Sequence, residues 1–256
     1  PGWDPGIDVK YGVTANLTAD LTVNTDFAQV EVDEQQVNLT RFSLLYPEKR
    51  DFFLEGRGLF DFARTGQATS STSLTPQLFY SRRIGLNGSR IIPIDVGGRL
   101  TGKVGRYGLG IMNLETRDDA VSKTPRTNFT VVRLKRDILR RSTIGVLMTE
   151  RTESAAVAGA SNLVYGADGG FSFFQNVSLG GYFAQTETPT LEGDNRSYQA
   201  RFDYAHDRYG ARAEYLAVGD NFNPEVGFVR RDDFKRTFSS LRFSPRPKSV
   251  KGVRKF

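Results

Sequence analysis

Residues 198–217 read YQARFDYAHDRYGARAEYLA and alternate apolar with polar or charged side chains on both sides of a central His-Asp-Arg. An alternation with a period of two is typical of a β-strand that has one apolar and one polar face. A two-residue turn at the centre would set Asp203 opposite Arg212 and Arg201 opposite Glu214. The opposite face would then pair large with small side chains. The stretch therefore predicts a β-hairpin whose polar face is braced by two ion pairs.

The same alternation occurs elsewhere in the chain, most clearly in residues 16–26 and 94–104. In the second stretch the apolar or small set is Ile94, Val96, Gly98, Leu100, Gly102 and Val104. No sustained helical stripe with apolar residues three and four positions apart is present. The sequence therefore predicts an all-β protein whose strands each have two different faces.

Turn signals recur at a regular spacing and separate strands of about ten residues. Short turns are predicted near Ala15, Gly105, Leu139, Gln175 and Asp207, and longer polar connections at 116–126, 151–161, 186–196 and 219–224. Ten residues that rise about 3.3 Å each and tilt by about 40° span about 25 Å, the height of the apolar band of an outer-membrane barrel. This pattern predicts an antiparallel up-and-down transmembrane β-barrel with twelve to fourteen strands in this chain. The alternative is a soluble sandwich or soluble barrel, but sandwich strands are usually shorter.

Composition narrows the possible functions. The 256 residues include no Cys and one His, which excludes a disulfide scaffold, a zinc-thiolate site and a cysteine nucleophile. The 35 Lys and Arg exceed the 29 Asp and Glu, but both signs are mixed along the chain, so no nucleic-acid partner is predicted. The sequence contains no run of about 18 apolar residues, so it does not predict a membrane-spanning helix. With no motif that specifies a reaction, we expect a non-catalytic protein without a cofactor.

Three longer stretches, residues 26–39, 46–56 and 221–231, resemble a bacterial family of unknown function. In that family a family-9-like carbohydrate-binding module precedes a large predicted outer-membrane β-barrel. The resemblance implies that this chain is the first part of the barrel domain and lacks the sugar module. It also implies a location in the bacterial outer membrane, contact with outer-membrane lipid, and glycans as a further candidate partner.

Residues 1–256 are therefore interpreted as one β-barrel segment, within which residues 26–76 depart from the alternation and predict an irregular, inward-folded or plug-like element. Its densest charges, flanked by aromatic residues, are Glu48, Lys49, Arg50, Asp51, Glu55 and Arg57. They predict either a structural ion-pair network that braces the barrel or a constriction that filters solutes or receives a sugar. A carbohydrate-active protein, with carboxylates such as Glu48 and Glu55 in glycan hydrolysis, is the alternative, and a soluble β-rich binding module is another.

Asp26, Glu31 and Asp33 carry carboxylates that could bind calcium. Their spacing does not follow the EF-hand pattern, so no metal site is predicted. The expected function is that of a non-catalytic outer-membrane β-barrel acting as a pore, a transporter or a carbohydrate-associated surface protein.

Overall fold

One large antiparallel sheet dominates the fold. A computed structural model describes residues 6–25, 45–63, 74–87 and 90–245. The strands are β1 (Ile7–Thr14), β2 (Leu17–Thr25), β3 (Leu86–Asn87), β4 (Arg90–Ile91), β5 (Ile94–Val104), β6 (Tyr107–Thr116), β7 (Thr127–Ile138), β8 (Ser142–Arg151), β9 (Asn162–Phe173), β10 (Val177–Glu187), β11 (Arg196–Ala205), β12 (Tyr209–Val218) and β13 (Phe234–Phe243). Eleven of them form one sheet in the order β1-β2-β5-β6-β7-β8-β9-β10-β11-β12-β13, and β3 pairs only with β4. The predicted all-β, up-and-down antiparallel architecture is confirmed.

Tight turns and long connections alternate along the sheet. Tight turns follow β1, β5, β7, β9 and β11 at one end of the strands, and we call this end of the sheet the turn edge. The connections at residues 117–126, 152–161, 188–195 and 219–233 lie at the other edge, the loop edge. This confirms the predicted order of turns and loops. The sheet has two unpaired edge strands among the described residues, β1 and β13.

The little helix that the described residues contain lies between β2 and β5. It consists of α1 (Asp51–Leu54) and two 3-10 helices, Arg57–Leu59 and Ser81–Arg83. Within the part of the chain that the structure describes, no helix is long and apolar enough to cross a membrane. The predicted irregular region, residues 26–76, is described only at 45–63 and 74–76.

One face of the sheet buries charged and hydroxyl side chains, and the other face exposes apolar side chains. On β5 the polar side chains of Arg99 and Thr101 are buried, whereas Val96 and Val104 are 40% and 55% exposed. On β7 Arg133 has no exposed surface. We call the buried side the inner face and the opposite side the outer face. Alternation along the strands therefore places buried charged and hydroxyl side chains on the inner face, beside the apolar side chains of the core, and leaves the outer face mostly aliphatic and aromatic.

A β-bulge corrects one detail of the predicted faces. The register between β5 and β6 shifts between Ile94 and Val96. The extra residue moves Ile94 to the inner face, where its side chain is 1% exposed, although the alternation had placed it with the outer set. Phe129 on β7 is also buried in the inner core, at 3% exposure.

The hydrophobic core lies between the inner face and the chain that covers it, residues 45–63 and 74–85, which we call the inner segment. Phe62 and Leu78 pack in one buried cluster with side chains of β8, β9, β10 and β12. Phe53 and Phe60 pack in a second cluster with side chains of β5, β6 and β7. Small residues on the sheet make room for these rings: a Cβ on Gly110 would lie 2.9 Å from Phe60, and one on Gly166 2.8 Å from Phe62. Burying each large apolar side chain contributes about 1.5–3 kcal/mol.

The hairpin of β11 and β12 has the register that the sequence predicts. Asp203 lies opposite Arg212 and Arg201 lies opposite Glu214. His206 N–H donates to the carbonyl of Tyr209 at 2.9 Å, which closes the two-residue turn. The polar residues of this hairpin are on the inner face, as in the neighbouring strands.

Candidate functional site

The inner segment begins with a buried carboxylate and guanidinium that lie two residues apart. Arg50 Nε donates to Glu48 Oε1 at 2.9 Å and Arg50 Nη2 donates to Glu48 Oε2 at 2.8 Å. The side chains are 3% and 2% exposed. Arg50 also donates to the carbonyls of Ser81 and Ile84, at 2.8 and 2.7 Å, and Ser81 Oγ donates to Glu48 at 2.5 Å. The pair therefore fastens the two parts of the inner segment to each other.

Local geometry explains how the chain turns after this pair. Arg50 stacks on the ring of Phe53 at 4.2 Å, and α1 then ends at Leu54, with Glu55 as its C-cap. Gly56 has a φ of 67°, in the left-handed region that favours glycine, and starts the 3-10 helix at Arg57. The charged run thus becomes two short helical turns joined at a glycine.

The electrostatic environment keeps the carboxylates of this segment ionised. Burial by itself would raise the pKa of Glu48, but the hydrogen bonds and the charge of Arg50, together with the Ser81 hydroxyl, outweigh it and lower the pKa below its ordinary value of 4.5. The hydrogen bond from Lys10 on β1 is the largest cause that lowers the pKa of Glu55. Both carboxylates are therefore stabilised as anions, which is the opposite of what a general acid requires.

The Glu48 pair should make stability depend on pH. Because the pKa of Glu48 is lower in the folded chain, its contribution is complete above pH 4.5 and is lost as the pH falls through the folded-state value. We expect Glu48→Gln to reduce the free energy of unfolding by about 1.5–3 kcal/mol at pH 7, since a charged hydrogen-bond partner is removed. The difference from wild type should shrink at pH 3.5, as measured by urea unfolding. The exposed Glu192→Gln is the control, and an equal Glu48→Gln deficit at both pH values would contradict the prediction.

A second arginine attaches the inner segment to the sheet. Arg99 on β5 donates to Asp20 Oδ2 on β2 at 2.6 Å through Nη2. Its Nη1 donates to the carbonyl of Glu55 at 2.7 Å and to that of Phe52. The guanidinium also lies over the ring of Phe52, 4.8 Å from its centroid. One side chain of the sheet therefore holds the end of α1 through two hydrogen bonds to carbonyls and one contact with an aromatic ring.

A third arginine forms a similar anchor on β7, the fifth strand of the sheet. Arg133 on β7 makes two parallel hydrogen bonds to Asp168 on β9, at 2.6 and 2.9 Å. Asp168 Oδ2 also accepts the backbone N–H of Ala63 at 3.0 Å, and Arg133 lies 5.3 Å from the ring centroid of Phe62. The pair joins two strands to the far end of the first described part of the inner segment.

The remaining charges of the predicted cluster are not brought into one site. The side chain of Asp51 is exposed, and Lys49 is half-buried next to Glu48. Arg57 lines a cleft of about 550 Å³ between the inner segment and the turn-edge ends of β5 and β7, together with Lys103, Lys135 and Asp137. A smaller cavity of about 60 Å³ between Glu48, Phe53 and Leu78 is large enough for a few waters but too small for a sugar ring.

The predicted ion pairs of the β11 and β12 hairpin are rearranged in part. Arg212 Nε lies 2.8 Å from Asp203 Oδ2, as the register implies. Arg201 Nη2 lies 3.6 Å from the same carboxylate, and Glu214 forms an ion pair with Arg236 on β13. The four residues share the inner face in a chain of charges that continues to the next strand.

The loop edge is held together by a buried glutamate that sequence reasoning did not single out. Glu225 accepts from Ser154 Oγ at 2.6 Å and from the N–H of Ala155 at 2.7 Å. Its own N–H donates to Asn162 Oδ1 at 3.1 Å, and the Asn162 amide donates to the carbonyl of Asn223 at 2.9 Å. These bonds connect the loop after β12 to the loop after β8 and to β9.

The same loop after β12 reaches the inner segment. The N–H of Gln77 donates to the carbonyl of Phe228 at 2.9 Å, and the N–H of Tyr80 donates to that of Val226 at 2.8 Å. The hydroxyl of Tyr80 then donates to the carbonyl of Tyr46 at 2.7 Å. Two of the three stretches that carry the family resemblance are thereby joined through residues 77–80.

Sequence reasoning missed the roles of Arg99 and Arg133 because their partners are distant in the chain. The alternation already placed Arg99 and Asp20 on polar faces, but only the pairing of β2 with β5 sets them opposite each other. The calcium candidates Asp26, Glu31 and Asp33 lie outside the described residues. Among the described residues no group of three or more His, Asp or Glu could hold a metal ion.

Comparisons with known proteins give one match. Residues 2–95 match the family described as Domain of unknown function (DUF5916). The match is consistent with the resemblance to a bacterial family of unknown function and covers β1, β2, the inner segment and the start of β5. No curated protein and no solved structure matches the chain.

Proposed function

We propose that this chain forms part of the wall of a bacterial outer-membrane β-barrel and carries within the barrel an ion-paired segment that narrows the lumen. The observation that carries the proposal is that the sheet buries charged side chains on its inner face and exposes apolar side chains on its outer face. A water-soluble sheet buries its apolar face, but here Arg99 and Arg133 are buried on the inner face while Val96, Val104 and Leu134 of the same strands are exposed on the outer face. In this reading lipid covers the outer face and the inner segment occupies the lumen.

The extent of the outer apolar surface supports lipid as its partner. Soluble monomers rarely expose contiguous apolar patches of more than a few hundred Å². Here exposed apolar side chains occur on the outer face from β1 to β13, among them Ile7, Val9, Tyr11, Val96, Ile144, Val146, Phe183, Tyr198, Phe202, Tyr209 and Leu241. Hydrocarbon would tolerate such a surface along its whole width, whereas water would not.

The lengths of the strands agree with the thickness of a membrane. From β5 to β13 each strand has 10 to 12 residues. At about 3.3 Å per residue and a tilt of about 40°, such strands span roughly 25–30 Å. The turn edge would then lie on the periplasmic side and the loop edge outside the cell, as in other outer-membrane barrels.

The inner segment favours a structural or gating role over catalysis. Glu48 is occupied by Arg50 and Ser81, and Glu55 by Lys10 and Arg99. Glycoside hydrolysis needs one carboxyl group with a raised pKa, whereas both of these values are lowered. The segment would therefore act as a brace and a constriction, and glycans remain a candidate ligand of the loop edge or of neighbouring domains.

Detergent dependence tests the proposal directly. We expect the purified chain to be monodisperse only in detergent and to migrate differently on gels before and after boiling. We also expect that the purified chain does not turn over glycans. A stable, monodisperse species in plain buffer would overturn the membrane assignment in favour of a soluble β-rich module. Glycan turnover that is lost in Glu55→Gln would overturn the non-catalytic assignment.

A further inference from the structure

The outer face carries a shallow groove of about 690 Å³ that crosses β7, β8, β9 and β10. Its floor is made by small residues, Ala167, Gly169 and Gly181, which lie next to one another through the strand register. Phe171 and Phe183 stand on either side of this floor. The groove is therefore an apolar channel in the apolar outer face.

An arginine lies at one end of this groove. Arg136 is exposed on the outer face of β7, and its guanidinium lies 5.1 Å from the ring centroid of Tyr107 on β6. The register places Arg136 opposite Ile144, which in turn lies opposite Gly169. A cation on an apolar outer face is destabilising unless it meets the polar boundary of the membrane or an anion.

The charges around Arg136 have one predominant sign. Among the described residues, the side chains that are charged in the tight turns or on the outer face beside them are Arg106, Arg136, Arg140, Arg141, Arg208 and Asp207. At the loop edge the outer face carries charges of both signs, the carboxylates Glu115, Glu150 and Glu187 together with Arg126 and Arg196. The turn edge of the outer face is therefore a basic rim, whereas the loop edge carries both signs of charge.

We propose that this rim and groove bind an anionic phospholipid, with the phosphate group at Arg136 and Tyr107 and an acyl chain in the channel of Ala167, Gly169 and Gly181. The proposal rests on the membrane location proposed above and adds a lipid class and a site. Arginine pairs with phosphate through parallel hydrogen bonds, and a tyrosine ring is favoured at the level of the headgroups. The channel offers the acyl chain an apolar lining of small residues bordered by Phe171 and Phe183. The site would select anionic over zwitterionic lipid on the turn-edge side.

Spin-labelled lipids measure this selectivity. The chain is reconstituted in phosphatidylcholine vesicles that contain traces of spin-labelled phosphatidylglycerol or spin-labelled phosphatidylcholine, and the motionally restricted fraction is compared. One cation near the membrane surface contributes about a fivefold preference for anionic lipid. We expect wild type to restrict phosphatidylglycerol at least fivefold more strongly, Arg136→Gln to lose about fivefold of that preference, and Arg136→Lys to keep most of it.

Arg196→Gln is the matched control, because Arg196 is an exposed arginine on the outer face at the loop edge. It should retain the wild-type preference. Equal restriction of both lipids by wild type, or an unchanged preference in Arg136→Gln, overturns the lipid site while leaving the barrel intact. Absence of any restricted lipid overturns both the site and the membrane location.

Discussion

Replacing Asp168 by alanine should reduce the free energy of unfolding by about 3–5 kcal/mol, because it leaves the guanidinium of Arg133 buried without a counter-charge. The Arg133 side chain is 1% exposed, and both of its terminal nitrogens donate to Asp168. The same substitution removes the acceptor of the Ala63 N–H, so the inner segment should loosen at that end. Urea unfolding in detergent micelles or lipid vesicles measures the loss.

A double-mutant cycle separates the pair from its surroundings. Arg133→Met combined with Asp168→Ala removes both charges, so its loss should be smaller than that of Asp168→Ala alone. Replacement of the exposed Asp207 in the turn after β11 is the control and should change stability by less than about 0.5 kcal/mol. Additive losses in the cycle would mean that Arg133 and Asp168 do not stabilise each other.

Placing an arginine at Ala213 should prevent or strongly weaken folding into lipid vesicles. Ala213 is exposed at the middle of β12 on the outer face, opposite Phe202. A cation facing hydrocarbon near the membrane midplane costs about 2–4 kcal/mol, whereas an exposed Ala→Arg change on a water-soluble sheet usually costs less than about 0.5 kcal/mol. Folding yield and urea unfolding in vesicles are the measurements.

The neighbouring inner-face residue is the internal control for this experiment. Arg212→Ala removes a partner of Asp203, but Arg201 remains 3.6 Å from the same carboxylate, so the loss should stay near 1 kcal/mol. Two adjacent positions on one strand should thus differ in their tolerance because they face different surroundings. If Arg212→Ala is the more harmful change and Ala213→Arg is neutral, the outer face does not contact lipid.

Much of the sheet could be predicted because its signals are local. A strand with two different surroundings needs alternating side chains, and a tight turn needs residues that fit it, so residues 94–104 and 198–217 carry their own strand pattern. The hairpin register followed from the turn alone, since antiparallel neighbours are fixed by a two-residue connection. The bulge at Ile94 broke the alternation because one extra residue there inverts the faces before it.

The candidate site was predictable only as a cluster of charges. The run from Glu48 to Arg57 indicated ion pairs, but not that Glu48 would pair with Arg50 and Ser81 while Asp51 stays exposed. The partners of the inner segment on the wall lie 47 residues away for Arg99 with Phe52 and 105 residues away for Asp168 with Ala63. No periodicity encodes such distances, because they depend on how the chain passes across the sheet.

By itself, the sequence determined the strands, the order of turns and loops, and the separation of polar from apolar side chains, because each depends on residues a few positions apart. The tertiary structure alone decided that Arg99 and Arg133 hold the inner segment and that Glu225 joins the loops. It also decided that Phe129 turns into the core. The physical reason is that a buried charge is stable only where the folded chain brings a partner of opposite charge next to it. Which residues become neighbours depends on the pairing of strands that are distant in the chain and on the path of the inner segment that covers them.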